Sequence, residues 1–144
     1  MTAPPYPVFE RSKRRTWGHW TYTMREDFIV VVDVEMPGDT HYVAYGGIVM
    51  ERIGSQTKIT ILSGTQWNGA TCAPDFRAVI PGTAVHDEQY RLTKELSKAM
   101  GISRRRFRKF SDDCFNDINR QFGFGFALRL IYYRAVRRLG WIMG

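Results

Sequence analysis

The chain has 144 residues, 44% of them hydrophobic, and a formal net charge of +7. This length and composition predict one soluble globular domain spanning residues 1–144 and exclude a largely disordered chain. No run of about 18 uncharged apolar residues occurs, which argues against a transmembrane segment, and the opening MTAPPYPVFERSKRR lacks the apolar stretch of a signal peptide.

The positive charge is concentrated at one end of the chain. Residues 1–100 contain 11 basic and 11 acidic side chains, whereas residues 101–144 contain 10 basic and 3 acidic ones. Such asymmetry predicts an anionic partner for the C-terminal third, either phospholipid headgroups or nucleic acid. The alternative is a solvated basic face that serves only solubility.

The first 62 residues are predicted to be mainly β. Aromatic and β-branched residues lead up to a Pro-Gly-Asp turn in TWGHWTYTMREDFIVVVDVEMPGD. His41 to Ile53 and Thr57 to Leu62 are two further predicted strands, joined by a short hairpin turn at 54–56. We expect an antiparallel sheet in this half.

A loop and three helices are predicted to follow. Residues 63–82 are rich in glycine and proline, which is typical of irregular structure. The predicted helices span about 83–100, ending at Gly101, then a helix capped by Ser103, and then about 126–139, ending at Gly140. The predicted fold class is therefore α+β, with residues 83–144 helical and one core shared with the strands.

The segment VHDEQYR holds the most informative residues of the chain, His86 and Asp87. Positions four apart share a face of a helix, so His86 and Tyr90 are expected to be neighbours, while Asp87 points about 100° away. One helix would then offer a general base, a hard oxygen ligand for a cation and a phenol. The alternative is an ordinary helix start whose histidine serves only packing.

Two other segments could complete a site. Glycine in WNGAT, residues 67–71, would let backbone carbonyls turn toward a calcium ion. SDDCFND, residues 111–117, could supply a carboxylate that accepts the other ring N–H of His86. Helical phase does not select that carboxylate, because Asp112 and Asp117 lie on opposite flanks of the apolar stripe. Asp113 and Asp117 are the substitutes if Asp112 is not the partner.

The order of these three segments resembles the calcium-dependent phospholipase A2 class that uses a His–Asp pair. HDEQY resembles the motif of the phospholipase domain in parvovirus capsid proteins, and SDDCFND resembles that domain's Ala-Asp-x-x-Phe helix. WNGAT, VHDEQY, SRRRF, SDDCF and YYRAVRRLG together also resemble a family of small phage proteins of unassigned function, over roughly residues 63–141. The secreted phospholipases differ in having a richer glycine loop and many disulfides.

The resemblance implies a role for each matching position. His86 would be the base that activates water, Asp112 its orienting carboxylate, and Tyr90 a phenol of the same hydrogen-bond network. Calcium would be bound by the Asp87 carboxylate and by backbone carbonyls, those of Trp67, Gly69 and Thr71. The implied helical half is a phospholipase A2-like core, and the implied setting is a phage protein, in the host cytoplasm or associated with the virion.

The remaining features each allow two interpretations. RRRFRK could bind an anionic partner or could be a solvated helix face; its basic residues are Arg104, Arg105, Arg106, Arg108 and Lys109. RSKRR at 11–15, with Trp17, Trp20 and Tyr22, fits either a nucleic-acid surface or an N-terminal arm. The closing segment FGFGFALRLIYYRAVRRLGWIMG could lie on an anionic membrane or be a core helix with arginines reaching to water. Cys72 and Cys114 are expected to be reduced, with a single bridge as the alternative.

We therefore expect calcium-dependent hydrolysis of a phospholipid ester at an anionic phospholipid surface. One alternative is a non-enzymatic phage protein, a virion or tail component or a host-directed binding protein, that keeps the helices for packing. Another is a nucleic-acid binder that uses the basic C-terminal third. Calcium dependence would distinguish the first function from the other two.

Overall fold

A computed structural model describes residues 4–12, 21–69 and 76–143. Its α+β fold confirms the predicted class, with antiparallel strands first and helices after them. The strands are β1 Phe9–Ser12, β2 Thr21–Met24, β3 Phe28–Val32, β4 Tyr42–Tyr45, β5 Ile48–Ile53, β6 Gln56–Ile61 and β7 Gln66–Trp67. The helices are α1 Ile80–Arg91, α2 Thr93–Met100, α3 Arg104–Gln121 and α4 Phe126–Met143.

The strands form two antiparallel sheets rather than one. The larger sheet has the order β3-β6-β5-β4, and the smaller has the order β1-β2-β7. The predicted hairpin turn is present, because Ile53 pairs with Gln56 across Gly54, whose φ is +60°. The long strand predicted over His41–Ile53 is instead a second hairpin, β4–β5, that reverses at Gly46 with φ +54°. Glycine adopts this left-handed conformation without the steric cost that other residues incur.

One face of the larger sheet packs against the helices. Alternate residues on β3, β5 and β6 are buried, as the two-residue period of a half-buried strand requires. They join one hydrophobic cluster with residues of α1, α2 and α3 and of the smaller sheet; Val30, Met50, Ile59, Leu96, Phe107 and Ile118 are among its members. The strands thereby support the helices that carry the candidate site.

The predicted helix 83–100 is two helices, so the described chain has four helices where three were expected. The first begins at Ile80 because Pro81 suits the first turn, where its missing N–H costs no hydrogen bond. Leu92 leaves the helical conformation, with φ −105° and ψ 18°. The Thr93 hydroxyl donates to the carbonyl oxygens of Gln89 and Tyr90, which competes with regular backbone pairing at this point.

The other helix ends follow the sequence signals in part. Gly101, with φ +67°, ends α2, and the Ser103 side chain accepts a 3.1 Å hydrogen bond from Arg106 N at the start of α3. The last helix continues through Gly140 to Met143 and so does not end where predicted. A glycine inside a helix costs about 1 kcal/mol relative to alanine, which weakens a helix without ending it.

Candidate active site

The candidate active site lies between α1 and α3, which cross in antiparallel directions. The face of α1 that carries His86 and Tyr90 meets the face of α3 that carries Asp112 and Phe115. The His86 ring centroid lies 4.1 Å from that of Tyr90 and 5.1 Å from that of Phe115. The four-residue spacing of His86 and Tyr90 therefore places them side by side, as predicted.

Gly82 allows the two helices to approach closely at the start of α1. A Cβ built at Gly82 would lie 2.6 Å from Asn119 Oδ1 and 3.1 Å from a ring carbon of Phe115. A larger residue there would require the Asn119 or Phe115 side chain to shift, and Phe115 faces His86. The glycine thus permits the observed packing one helical turn from the histidine.

Asp112 is the central group of the site, and its side chain is 0% exposed. Its Oδ1 lies 2.7 Å from His86 Nε2 and accepts a 2.8 Å hydrogen bond from the Tyr90 hydroxyl. Its Oδ2 accepts a 2.9 Å hydrogen bond from Arg137 Nη1 of α4. A buried carboxylate needs such donors, because leaving water costs several kcal/mol that only close partners can offset. The predicted contact between His86 and Asp112 is confirmed.

The neighbouring acids have other partners and do not contact His86. Asp113 is ion-paired with Lys109 and accepts a 2.8 Å hydrogen bond from the Tyr133 hydroxyl. Asp117 accepts from Asp33 N at 2.9 Å, and also from Arg120 and Gln121. Of the three acids on α3, Asp112 is the one that faces the histidine.

Contact with Asp112 determines what each ring atom of His86 can do. When Nε2 carries a proton, it donates to the carboxylate, and the second nitrogen, Nδ1, is left with a free lone pair. The structure gives Nδ1 no hydrogen bond with a described residue, and the His86 side chain is 12% exposed. A neutral His86 can therefore accept a proton at Nδ1, and Asp112 would stabilise the resulting imidazolium.

Tyr90 acts in this network as a hydrogen-bond donor. Burial raises the pKa of its phenol well above the ordinary value of 10.0, and the negative charge of Asp112 raises it further. The phenol stays protonated at any physiological pH, so it is not a base. Its contribution is to hold Oδ1 of Asp112 in place beside the histidine.

Asp87 lies against the segment that was predicted to bind calcium. Its Oδ2 accepts a 3.1 Å hydrogen bond from Asn68 N, and Gly69 has a φ of +75°. Trp67, by contrast, is a strand residue: it pairs with Tyr22 in β7, and its indole Nε1 donates to Thr83 Oγ1 at 3.1 Å. Strand pairing engages backbone groups, which makes the Trp67 carbonyl the weaker ligand candidate. Thr71 lies outside the described residues.

The donor chemistry of this corner suits calcium better than a transition metal. Asp87 supplies a carboxylate next to this segment, and carboxylate and carbonyl oxygens are the hard ligands that calcium prefers. Among residues 4–12, 21–69 and 76–143, no group of three or more His, Cys, Asp or Glu side chains is arranged to hold a metal ion. The structure thus places one proposed calcium ligand, the Asp87 carboxylate, beside the segment whose backbone carbonyls were predicted to bind the ion.

The basic residues of α3 divide into two sets. Arg104, Arg105 and Arg106 are exposed at the start of the helix. Arg108 is half-buried, and its charge acts on Tyr90, while Lys109 is engaged by Asp113. The first set lies on the surface at the start of α3, whereas Arg108 and Lys109, of which Lys109 is also exposed, interact with Tyr90 and Asp113.

The structure covers the predicted N-terminal basic-aromatic segment and the two cysteines only in part. Residues 13–20 and Cys72 lie outside the described residues, and Tyr22 is buried and stacked on Trp67, so it is not an exposed base-stacking residue as proposed from the sequence. Cys114 has a free, buried thiol whose pKa burial raises well above the usual value. Such a thiol is unreactive, so Cys114 is not a nucleophile.

The last helix exposes an apolar surface beside its arginines. Phe126 is 72% exposed and Ile131 60%, and Leu128 and Leu130 are also exposed. Arg134 and Arg138 lie on the exposed part of the same helix. The opposite face packs inward through Tyr132, which meets the Phe124 ring edge to face at 5.0 Å. We call the exposed residues Phe126, Leu128, Leu130, Ile131, Arg134 and Arg138 the α4 outer face.

A separate pocket of about 460 Å³ lies away from His86, where the β3–β4 connection meets the α2–α3 turn. It is lined by Gly38, Asp39, Thr40, Lys98, Ala99, Met100, Gly101, Ile102 and Arg106. Of the predicted site residues only Arg106 borders it, so this pocket is not part of the His86 site.

Sequence reasoning did not assign Arg137 to the site. Arg137 was one of several arginines in the closing segment, with no feature to single it out. A weak signal was present, because Tyr133 and Arg137 are four residues apart and so share a face of α4. That face contacts the adjacent acids Asp113 and Asp112.

Comparisons with known proteins supply no family for this chain. No protein-family model, curated protein or solved structure matches it significantly. In the part of the chain that the structure describes, no helix is both long and apolar enough to cross a membrane. Any functional conclusion therefore depends on the site itself.

Proposed function

We propose that the protein hydrolyses an ester bond of a phospholipid, with His86 as the general base. The observation that carries this proposal is the 2.7 Å contact between His86 Nε2 and Oδ1 of the fully buried Asp112. A histidine with no chemical task gains little from a buried carboxylate, which is costly to desolvate. For a histidine that accepts a proton in a defined direction, such a partner orients the ring and stabilises the imidazolium that forms.

In this mechanism a water molecule attacks the carbonyl carbon of the ester while its proton passes to His86 Nδ1. The imidazolium is stabilised by Asp112, which Tyr90 keeps in place. The tetrahedral intermediate then breaks its bond to the alcohol oxygen, and His86 returns the proton to that leaving oxygen. The products are a fatty acid and a lysophospholipid, and the histidine is again neutral.

Calcium is the proposed cofactor. Asp87 would hold it, together with carbonyl oxygens of the segment that includes Trp67, Gly69 and Thr71. When bound, the ion would polarise the ester carbonyl and stabilise negative charge that develops on its oxygen.

Two exposed surfaces support an anionic phospholipid partner. Arg104, Arg105 and Arg106 offer positive charge at the start of α3. The α4 outer face combines apolar side chains with two further arginines, the composition of segments that lie in the headgroup region of a bilayer. Each basic residue near such a membrane adds about 1 kcal/mol to binding. The resemblance to small phage proteins makes a phage origin part of the same proposal.

The direct test uses vesicles of a phospholipid with ester-linked chains, with calcium present, and measures released fatty acid. We expect His86→Ala to abolish release while leaving vesicle binding intact, because the histidine acts in the chemical step. His41→Ala is the matched control, since His41 is exposed on the loop before β4 and remote in sequence from the site. Release that persists undiminished in His86→Ala would contradict the proposal.

A second measurement separates lipid binding from nucleic-acid binding. Binding to anionic vesicles should exceed binding to neutral ones and should weaken as salt is added, because salt screens the attraction. Replacing Arg104, Arg105 and Arg106 by glutamate should abolish the preference. Tight, salt-sensitive binding to duplex DNA without binding to vesicles would favour the nucleic-acid alternative. Binding to neither would favour a non-enzymatic virion or host-directed protein.

A further inference from the structure

Arg137 is the third donor to Asp112, and it comes from α4 rather than from the helices that carry His86 and Asp112. Its Nη1 donates to Asp112 Oδ2 at 2.9 Å, while His86 and Tyr90 share the other oxygen, Oδ1. The Arg137 side chain is 27% exposed, so the guanidinium bridges from the edge of the site to a carboxylate that is fully enclosed.

The division of donors between the two oxygens fixes the plane of the carboxylate. A carboxylate held at only one oxygen can turn about its Cβ–Cγ bond, since this torsion has a broad energy profile. In this site Arg137 holds Oδ2 and Tyr90 holds Oδ1, so the group is restrained at both ends. The oxygen that faces His86 Nε2 is therefore held where a ring N–H can donate to it.

The surrounding contacts hold α4 in the position from which Arg137 reaches Asp112. Tyr133, one turn earlier, donates to Asp113 of α3 at 2.8 Å, and Tyr132 belongs to a buried cluster that includes Phe115 of α3. The helix would therefore stay attached to α3 if Arg137 were shortened. This makes it feasible to separate attachment of the helix from the action of the arginine.

We propose that Arg137 is a positioning residue that acts through Asp112 to keep the His86 proton on Nε2 and the Nδ1 lone pair free. The chemical value of this role depends on the proposed function, in which Nδ1 accepts the proton of water. A residue that serves only to attach α4 would leave the proton distribution of the His86 ring unchanged.

The readout is the ¹⁵N NMR spectrum of the His86 ring without substrate, recorded over a series of pH values. The ¹⁵N shifts of Nδ1 and Nε2 report which nitrogen carries the proton. We expect one tautomer, Nε2–H, in the unaltered protein, a mixture of both tautomers in Arg137→Gln, and a return toward Nε2–H in Arg137→Lys, which keeps a charged donor.

Two controls separate positioning from stability. Arg134→Gln removes an exposed arginine of the same helix and should leave the tautomer unchanged. Asp113→Asn weakens the contact of α3 with Tyr133 of α4, and the ion pair with Lys109 on α3, without touching Arg137, and it should also leave the tautomer unchanged. Circular dichroism and thermal melting on the same samples establish that each variant is folded. If Arg137→Gln does not fold, Arg137→Lys is compared with the unaltered protein instead. We then expect a more mixed tautomer in Arg137→Lys than in the unaltered protein.

If ester hydrolysis is observed, kcat of Arg137→Gln should fall about tenfold or more with little change in KM, because orientation of a general base acts in the chemical step. A pure Nε2–H tautomer in folded Arg137→Gln, or in Arg137→Lys where the glutamine variant does not fold, would overturn the assignment. A mixture in Asp113→Asn as large as that in Arg137→Gln would also overturn it. Absence of hydrolysis by the unaltered protein, with the tautomer dependent on Arg137, would refute the proposed function and leave the positioning role in place.

Discussion

Replacing Asp112 by alanine tests whether the buried carboxylate organises the helical half of the protein. The change deletes the acceptor for His86, Tyr90 and Arg137 at once. It also leaves a void the size of a carboxylate between α1, α3 and α4. We expect a large loss in the free energy of unfolding, because three donors from two other helices lose their partner.

The magnitude can be estimated from the contacts. Breaking a buried ion pair by removing one partner costs about 3–5 kcal/mol, since the remaining charge is left uncompensated. Because Arg137 is 27% exposed and can reach water, we place the loss for Asp112→Ala at about 3 kcal/mol, toward the lower end of that range. Asp112→Asn should cost less, about 1.5–3 kcal/mol, because its amide oxygen can still accept from His86 and Tyr90 while the amide nitrogen faces the guanidinium.

The assay is urea denaturation followed by circular dichroism, with Asp113→Ala as the matched control. Asp113 is the adjacent residue on α3 and also has a cationic and a phenolic partner, but its side chain is 31% exposed. Exposed ion pairs contribute roughly 0–1 kcal/mol, so the control should lose much less stability. Equal losses for the two alanine variants would refute the reasoning that burial makes Asp112 the organising group.

Three other predictions concern separate parts of the structure. Calcium in excess should raise the melting temperature, since a ligand that binds only the folded state stabilises it, and Asp87→Asn should remove that gain. An unchanged melting temperature of the unaltered protein would argue against the metal site. The pKa of Tyr90 is raised above 10.0 in the folded state, so its contribution to the free energy of unfolding is complete below pH 10. That contribution falls as pH rises further, by at most about 1.4 kcal/mol per pH unit, and denaturation curves of Tyr90→Phe should therefore show a smaller loss of stability at alkaline pH. Gly82→Ala should lower the free energy of unfolding by about 1–3 kcal/mol, although alanine is the better helix former, because its Cβ would meet Asn119 Oδ1. A stabilised variant would show that the neighbouring side chains of α3 can shift without cost.

The sequence by itself determined most of the local structure. Alternating apolar residues predicted the strands, and the spacing of apolar residues predicted the helices that pack on them. Gly101 marked a helix end because glycine adopts the left-handed backbone conformation there. Ser103 marked a helix start because its side chain accepts a hydrogen bond from Arg106 N, three residues away. The pairing of His86 with Tyr90 was equally local, since the helical period alone places them on one face.

Local signals were weaker where neighbouring elements decide the outcome. The break at Leu92 and the strand β7 were not predicted. Leu92 is buried in the core, and β7 exists because Trp67 finds a partner in Tyr22, 45 positions earlier in the chain. Secondary structure is predicted from short stretches of sequence, and these include neither the core residues around Leu92 nor Tyr22, the partner of Trp67.

Only the tertiary structure decided which residues complete the site. The helical period determines which residues share a face of one helix, but not which residue of another helix lies opposite, because that depends on how the two surfaces pack. The pattern of α3 left Asp112, Asp113 and Asp117 open as partners of His86; resemblance favoured Asp112, and packing places it there. For Arg137 the local signal was weak, because its role depends on where α4 docks on α3, and Arg137 lies 25 residues after Asp112 in the chain.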